Sequence, residues 1–143
     1  MESTFLGPKI LTHKGEINSS EVLSAPVIAI YFSAHWCPPC RGFTPVLAKN
    51  YKKWNEKEKK IEVIFVSSDR DQKGFDEYFK EMPWVAVPFQ SELRIILKAK
   101  YGVQSIPNLV IVDKKGDLLK MDGRDDVEDS AETALATFQS LYT

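Results

Sequence analysis

Short apolar segments alternate along the chain with longer segments whose apolar residues recur every three or four positions. Residues 27–32, 61–66 and 108–112 are rich in β-branched and aromatic side chains. Runs of this length and type predict strands buried on both faces. After the first, Phe43, Val46, Leu47, Tyr51 and Trp54 recur at helical spacing, with Lys49, Lys52 and Lys53 between them. That spacing predicts an amphipathic helix over 41–54, with the charged run 56–60 as its solvated end. Residues 68–71 read as a turn that caps the next helix, with Gln72 three residues after Asp69. Phe75, Phe79 and Met82 mark that helix's buried face, and Pro83 stops it. Residues 84–89 are apolar and irregular. Ser91 can cap a helix that carries Leu93, Ile96 and Leu97 and ends at Gly102.

The ends of the chain are less periodic. Residues 9–12 read as a short strand and 17–23 as a turn or single helical turn. Lys114, Lys115, Gly116 and Asp117 form a hairpin turn, with glycine where a positive φ is often required. Residues 118–121 then return as an antiparallel strand. One last helix buries Val127, Ala131, Leu135, Phe138 and Tyr142. Strands alternating with helices imply βαβ units and a largely parallel sheet with right-handed connections. The predicted class is a three-layer α/β/α sandwich whose mixed central sheet closes with a C-terminal antiparallel hairpin. Residues 1–143 read as one domain, without repeats, low-complexity tracts or Gly/Ser linkers.

Composition narrows the partners. The net charge is -1, which argues against a nucleic-acid binder and against a polybasic membrane anchor. No apolar run approaches the roughly 20 residues of a membrane helix. The first eight residues lack the basic and apolar regions of a signal peptide. A reducing compartment is expected, the cytoplasm and by diffusion the nucleus.

Cys37 and Cys40 are the only cysteines. Trp36-Cys37-Pro38-Pro39-Cys40-Arg41 sits where a buried strand hands over to a helix. Unpaired N–H groups and the dipole at a helix N-terminus favour an anion. A thiolate placed there is stabilised, with pKa values of roughly 3.5–7.5 known for such cysteines. Cys37 falls at the expected N-cap, and Cys40 lies one turn in, behind it. Pro38 and Pro39 occupy the first turn, where a missing N–H matters little. They stiffen the loop and remove donors near the sulfur, which points to a less acidic, less oxidising pair than one with a histidine in the loop. Intramolecular zinc would need four ligands. The two histidines, His13 and His35, lie far apart and there is no third cysteine. A structural disulfide fits poorly with a reducing compartment. A redox dithiol is the favoured reading, with no metal and no organic cofactor.

The segment 31–45, Tyr-Phe-Ser-Ala-His-Trp-Cys-Pro-Pro-Cys-Arg-Gly-Phe-Thr-Pro, resembles the active-site segment of the tryparedoxin/nucleoredoxin branch of the thioredoxin superfamily. Residues 63–71 and 82–89 are similar to two more blocks of that branch, and Ser105-Ile106-Pro107 to its cis-proline segment. The resemblance covers about 27–113. It implies a thioredoxin-like fold, a mid-helix Pro45, and a cis Pro107 whose loop faces the dithiol. It also implies that Ile106 offers backbone groups to an extended substrate. Trp36 is expected as a partly exposed platform beside the nucleophile. Trp84 is either a residue of the active-site rim or a loop-packing aromatic. Arg41 either steadies a thiolate or a carboxylate, or is a solvated helix charge. Thioredoxin carries a buried Asp six residues before the first cysteine. Here that position is Tyr31, so water or a substrate group must take the proton of Cys40. Relative to a minimal thioredoxin, residues 69–90 are enlarged, which suggests a surface for partner choice.

The implied activity is reduction of protein disulfides. Cys37 attacks, Cys40 resolves, and Trp36, Pro38, Pro39, Arg41, Trp84, Ile106 and Pro107 shape the substrate surface. Implied partners are disulfide-containing proteins, peroxiredoxins among them, and a thiol reductant such as trypanothione, glutathione or a thioredoxin-reductase system. A monomer is expected. A peroxidase is disfavoured because Ala34 stands where peroxiredoxins carry Thr. The competing class is a redox-sensing partner-binding module with little turnover. Ser33-Ala34-His35 and residues 67–71 look closer to nucleoredoxin than to tryparedoxin.

Overall fold

The computed structural model describes residues 4–142. The expectations placed on residues 1–3 and 143 lie outside the described residues. The three apolar segments form β3 (Val27–Ser33), β4 (Ile61–Ser67) and β6 (Asn108–Val112) of a seven-stranded sheet. The others are β1 (Lys9–Thr12), β2 (Gly15–Asn18), β5 (Val85–Ala86) and β7 (Leu118–Lys120), in the order β2-β1-β5-β4-β3-β6-β7. β3 and β4 run parallel with Tyr31 opposite Phe65, and β5 continues the parallel set beside β4. β6 runs antiparallel to β3, with Tyr31 opposite Leu109.

The helices are α1 (Ser19–Val22), α2 (Pro38–Trp54), α3 (Gln72–Phe79), α4 (Leu93–Lys100), α5 (Gly123–Asp129) and α6 (Ala131–Ser140). They cover both faces of the sheet, so alternate strand residues enter two separate cores. Ala29, Tyr31, Val63, Phe65 and Ile111 pack with Phe43 and Leu47 of α2, Phe75 and Tyr78 of α3, and Phe138 of α6. Ile28, Ile30, Phe32, Ile64 and Val110 pack with Val22 of α1, Leu97 of α4 and Tyr101. Both sets are removed from water, which explains why these strands read as continuous apolar runs rather than alternating ones. This is the predicted three-layer sandwich.

Several local expectations differ. The N-terminal segment forms a complete hairpin, β1–β2, docked antiparallel to β5 through Leu11 and Ala86. The cap of α3 is Asp71, whose carboxylate accepts from Gly74 N at 2.8 Å; Asp69 is used elsewhere. α3 ends at Phe79, four residues before Pro83. Ile96 is 52% exposed on α4, because Leu97 faces the sheet and its neighbour turns outward. The last helix is two helices, broken at Ser130, whose extended backbone caps α6. Gly116 turns the β6–β7 hairpin at φ +89°, as expected.

Candidate functional site

The site lies at the C-terminal ends of β3 and β4, where the parallel strands release the chain to α2 and α3. Cys37 is the N-cap of α2, and its Sγ accepts from Cys40 N at 3.4 Å. Pro38 and Pro39 stand exposed in the first turn. Both cysteines are free thiols. Cys37 is 5% exposed and Cys40 fully buried behind it. The Ile106–Pro107 peptide is cis. It brings the Ile106 carbonyl to 3.9 Å from Cys37 Sγ, where the thiol can donate weakly. Ile106 is partly exposed and packs against the small cluster of Ala34, Cys37 and Cys40.

Burial pushes the Cys40 thiol up to about 11, the neighbouring Cys37 adding to the effect and Ser33 opposing it. Ser33 belongs to a buried hydroxyl network that the sequence reading missed. Tyr78 OH lies 2.6 Å from Ser33 Oγ and 2.5 Å from Thr44 Oγ1, and donates to the Cys40 carbonyl at 3.2 Å. Tyr31 OH meets the same Thr44 hydroxyl at 2.6 Å. Burial holds both Tyr31 and Tyr78 above the ordinary phenol range, so neither ionises near neutral pH. A chain of neutral hydroxyls thus lines the back of the dithiol where thioredoxin has a carboxylate. No signal marked Tyr78 in advance, since it lies 38 residues beyond Cys40 in the chain.

Asp69 is a buried acid at the end of β4. It accepts from His35 N at 2.7 Å and from Ser67 Oγ at 2.6 Å, tying the loop before Cys37 to the end of β4. His35 stacks on Tyr78. Trp36 is 49% exposed and donates through Nε1 to the Ser68 carbonyl, with Arg70 over its ring at 4.9 Å. Arg41 is exposed on α2. Trp84 is not at the surface. It is 1% exposed and edge-on to both Tyr31 and Tyr51. The rim expectation for Trp84 is therefore corrected: its large apolar ring is a core element that a substrate cannot reach. Among the described residues no cluster of His, Cys, Asp or Glu could hold a metal, and no helix is long and apolar enough to cross a membrane.

A dithiol at the N-terminus of the helix after a central strand, facing a cis-proline loop, defines a thioredoxin-like protein. A sequence model of the family described as thioredoxin-like matches residues 26–118, and the chain belongs to that family. Within it, the chain is similar to nucleoredoxins and tryparedoxins. It is 44% identical over 122 residues to nucleoredoxin of Xenopus laevis, covering 85% of this chain and 29% of that protein. It is 41% identical over 105 residues to tryparedoxin of Trypanosoma brucei brucei, covering 73% of this chain and 72% of that protein. Tryparedoxin I of Crithidia fasciculata superposes with a TM-score of 0.80 at 41% identity over 87% of each chain. Tryparedoxin II complexed with glutathionylspermidine does so at 0.82 and 34% over 89% of each. The chain spans about three tenths of the length of the nucleoredoxins it matches.

Proposed function

We propose that this chain reduces protein disulfides by dithiol exchange. The observation that carries the proposal is the placement of Cys37 at the α2 N-cap, against the Ile106 carbonyl, with Cys40 buried one turn behind. The Cys37 thiolate attacks one sulfur of a substrate disulfide. A Cys37–substrate bond forms, the substrate S–S bond breaks, and the other substrate sulfur leaves as a thiolate. Cys40 then loses its proton and attacks Cys37 Sγ. The second substrate thiolate leaves, and the Cys37–Cys40 disulfide stores the two electrons' worth of oxidation. With Cys40 held as a thiol and Tyr31 and Tyr78 neutral, the departing substrate thiolate or water is the acceptor for the Cys40 proton.

Exposed Trp36, Pro38, Pro39 and Arg41, with the partly exposed Ile106, form the substrate surface in this reading, while Pro107, also expected there, is buried. Recycling requires a thiol reductant; the glutathionylspermidine complex of tryparedoxin II supports a small thiol in that role. The substrates are disulfide-containing proteins such as peroxiredoxins. The setting is the cytoplasm or nucleus, where the oxidised pair can be reduced again. Insulin reduction with dithiothreitol tests this: turnover by wild type and none by Cys37→Ser is expected. A fully active Cys37→Ser protein overturns it.

A further inference from the structure

Between the end of β4, α4 and the segment before the cis-proline lies a groove of about 520 Å³ that no expected site residue lines. Its walls are Ser67 and Ser68 at the end of β4, Arg94 and Lys98 on α4, and Val103 and Gln104 of the segment leading to the cis-proline loop. Two of its walls lead toward the site. The Ser68 carbonyl holds the Trp36 indole at 3.0 Å, and Gln104 lies two residues before Ile106. Its charge is one-sided. Arg94 donates to the carbonyls of Phe89 at 2.6 Å and Ser67 at 2.9 Å, and its guanidinium lies 4.0 Å over the Phe89 ring. Among the described residues no carboxylate comes within ion-pair distance of Arg94 or Lys98. Asp69 is the acid whose charge reaches Arg94, and both of its oxygens already accept from His35 N and Ser67 Oγ. A partly buried cation whose hydrogen bonds go only to neutral carbonyls can take a direct contact from an anion brought from outside.

We propose that this groove is a specificity subsite that takes an acidic side chain of an extended protein substrate, two residues from its reactive cysteine. A strand laid along residues 103–106, with its disulfide at Cys37, carries its flanking side chains about 7 Å to either side, which places one of them opposite Gln104. Lys98 and the outer edge of Arg94 then meet its carboxylate, while Ile95, 70% exposed on the same wall, covers its methylenes. The subsite selects among substrates; it takes no part in the exchange itself. It rests on the disulfide-reductase reading above.

The test compares reduction of two peptide disulfides that differ only by Glu or Gln at the flanking position. Wild type is expected to favour the Glu peptide by about five- to tenfold in kcat/KM, the scale of one charge-assisted contact at a partly exposed site. The preference should collapse toward unity in Lys98→Gln and at 0.5 M salt, where the Debye length is only a few ångströms. It should reverse in Lys98→Glu against a Lys peptide. Among the described residues the Lys98 side chain has no hydrogen-bond partner, and its backbone bond from Val103 N at 3.0 Å survives substitution, so these variants keep their fold where Arg94 variants would lose two carbonyl contacts. Equal rates for the two peptides in wild type overturn the subsite, as does a preference that survives in Lys98→Gln. A Lys98→Gln protein that keeps the peptide preference but is recycled more slowly by glutathione assigns the groove to the reductant and also overturns it. Cys37-dependent reduction of the Gln peptide separates these outcomes from failure of the reductase reading, in which neither peptide is reduced.

Discussion

Tyr78→Phe removes one hydroxyl from the wall behind the dithiol. That oxygen has three partners: Ser33 Oγ, Thr44 Oγ1 and the Cys40 carbonyl. Thr44 keeps Tyr31 as a partner, at 2.6 Å. Ser33 is fully buried and loses its 2.6 Å partner, keeping only its weaker interactions with Tyr31 and Cys40. The phenyl ring fills nearly the same volume, so no cavity opens. A neutral buried hydrogen bond contributes about 1 kcal/mol net, and a buried group left unpaired costs about 1–3 kcal/mol. The variant should therefore lose about 2–3 kcal/mol. With an m-value of about 2 kcal/mol/M in urea, the midpoint of the reduced protein falls by about 1–1.5 M at unchanged m. Equilibrium urea unfolding followed by tryptophan fluorescence reads this directly. A midpoint shift below about 0.3 M would refute the network, because it would mean that the hydroxyls are already paired with water.

Four further outcomes follow from the same geometry. Trp84→Ala should destabilise the fold by about 3–5 kcal/mol, the range for emptying a large aromatic from a core. Trp36→Ala should cost less than about 1 kcal/mol, the scale of its exposed ring contact with Arg70, yet slow disulfide reduction; paired unfolding and insulin assays separate the two tryptophans. In Cys37→Ser, burial remains the main cause holding Cys40 up, so its thiolate absorbance at 240 nm should appear well above the ordinary thiol value of about 8.5; a midpoint at or below that value contradicts the burial. Since the folded-state value is raised, Cys40 stabilises the reduced fold below about pH 8.5, and that contribution is lost as pH climbs toward 11. Reduced wild type should accordingly lose stability relative to Cys40→Ala across that window, measured as the difference in urea midpoints.

The parts of this protein that local chemistry determines were legible in its sequence. β3, β4 and β6 are buried on both faces, and their residues say so. Cys37 at the N-cap, with prolines in the first turn, is a local consequence of a strand meeting a helix. The cis state of Pro107 came from family resemblance, because Ile-Pro in isolation favours trans. What was missed depends on contacts between distant segments. Leu11 and Ala86 are 75 positions apart, so the docking of the N-terminal hairpin leaves no periodic mark. Asp69 and Asp71 are both plausible caps, and only the pull of His35 N and Ser67 Oγ on Asp69 decides between them. Trp84 follows a proline in an irregular segment, where nothing local says whether the ring turns inward toward Tyr31 and Tyr51 or outward. The Ser33–Tyr78–Thr44–Tyr31 network joins three elements and is invisible to any window along one of them.

The proposed mechanism divides the labour between the two sulfurs, an attacker 5% exposed at the helix cap and a fully buried resolver behind it. Mass spectrometry of mixed disulfides tests it most directly, using Cys40→Ser and Cys37→Ser incubated with the same oxidised protein substrate. Cys40→Ser should accumulate a stable adduct mapped to Cys37, and Cys37→Ser should accumulate none, because Cys40 is fully buried and protonated at neutral pH. An adduct on Cys40 in Cys37→Ser, formed as fast as the other, would contradict that division.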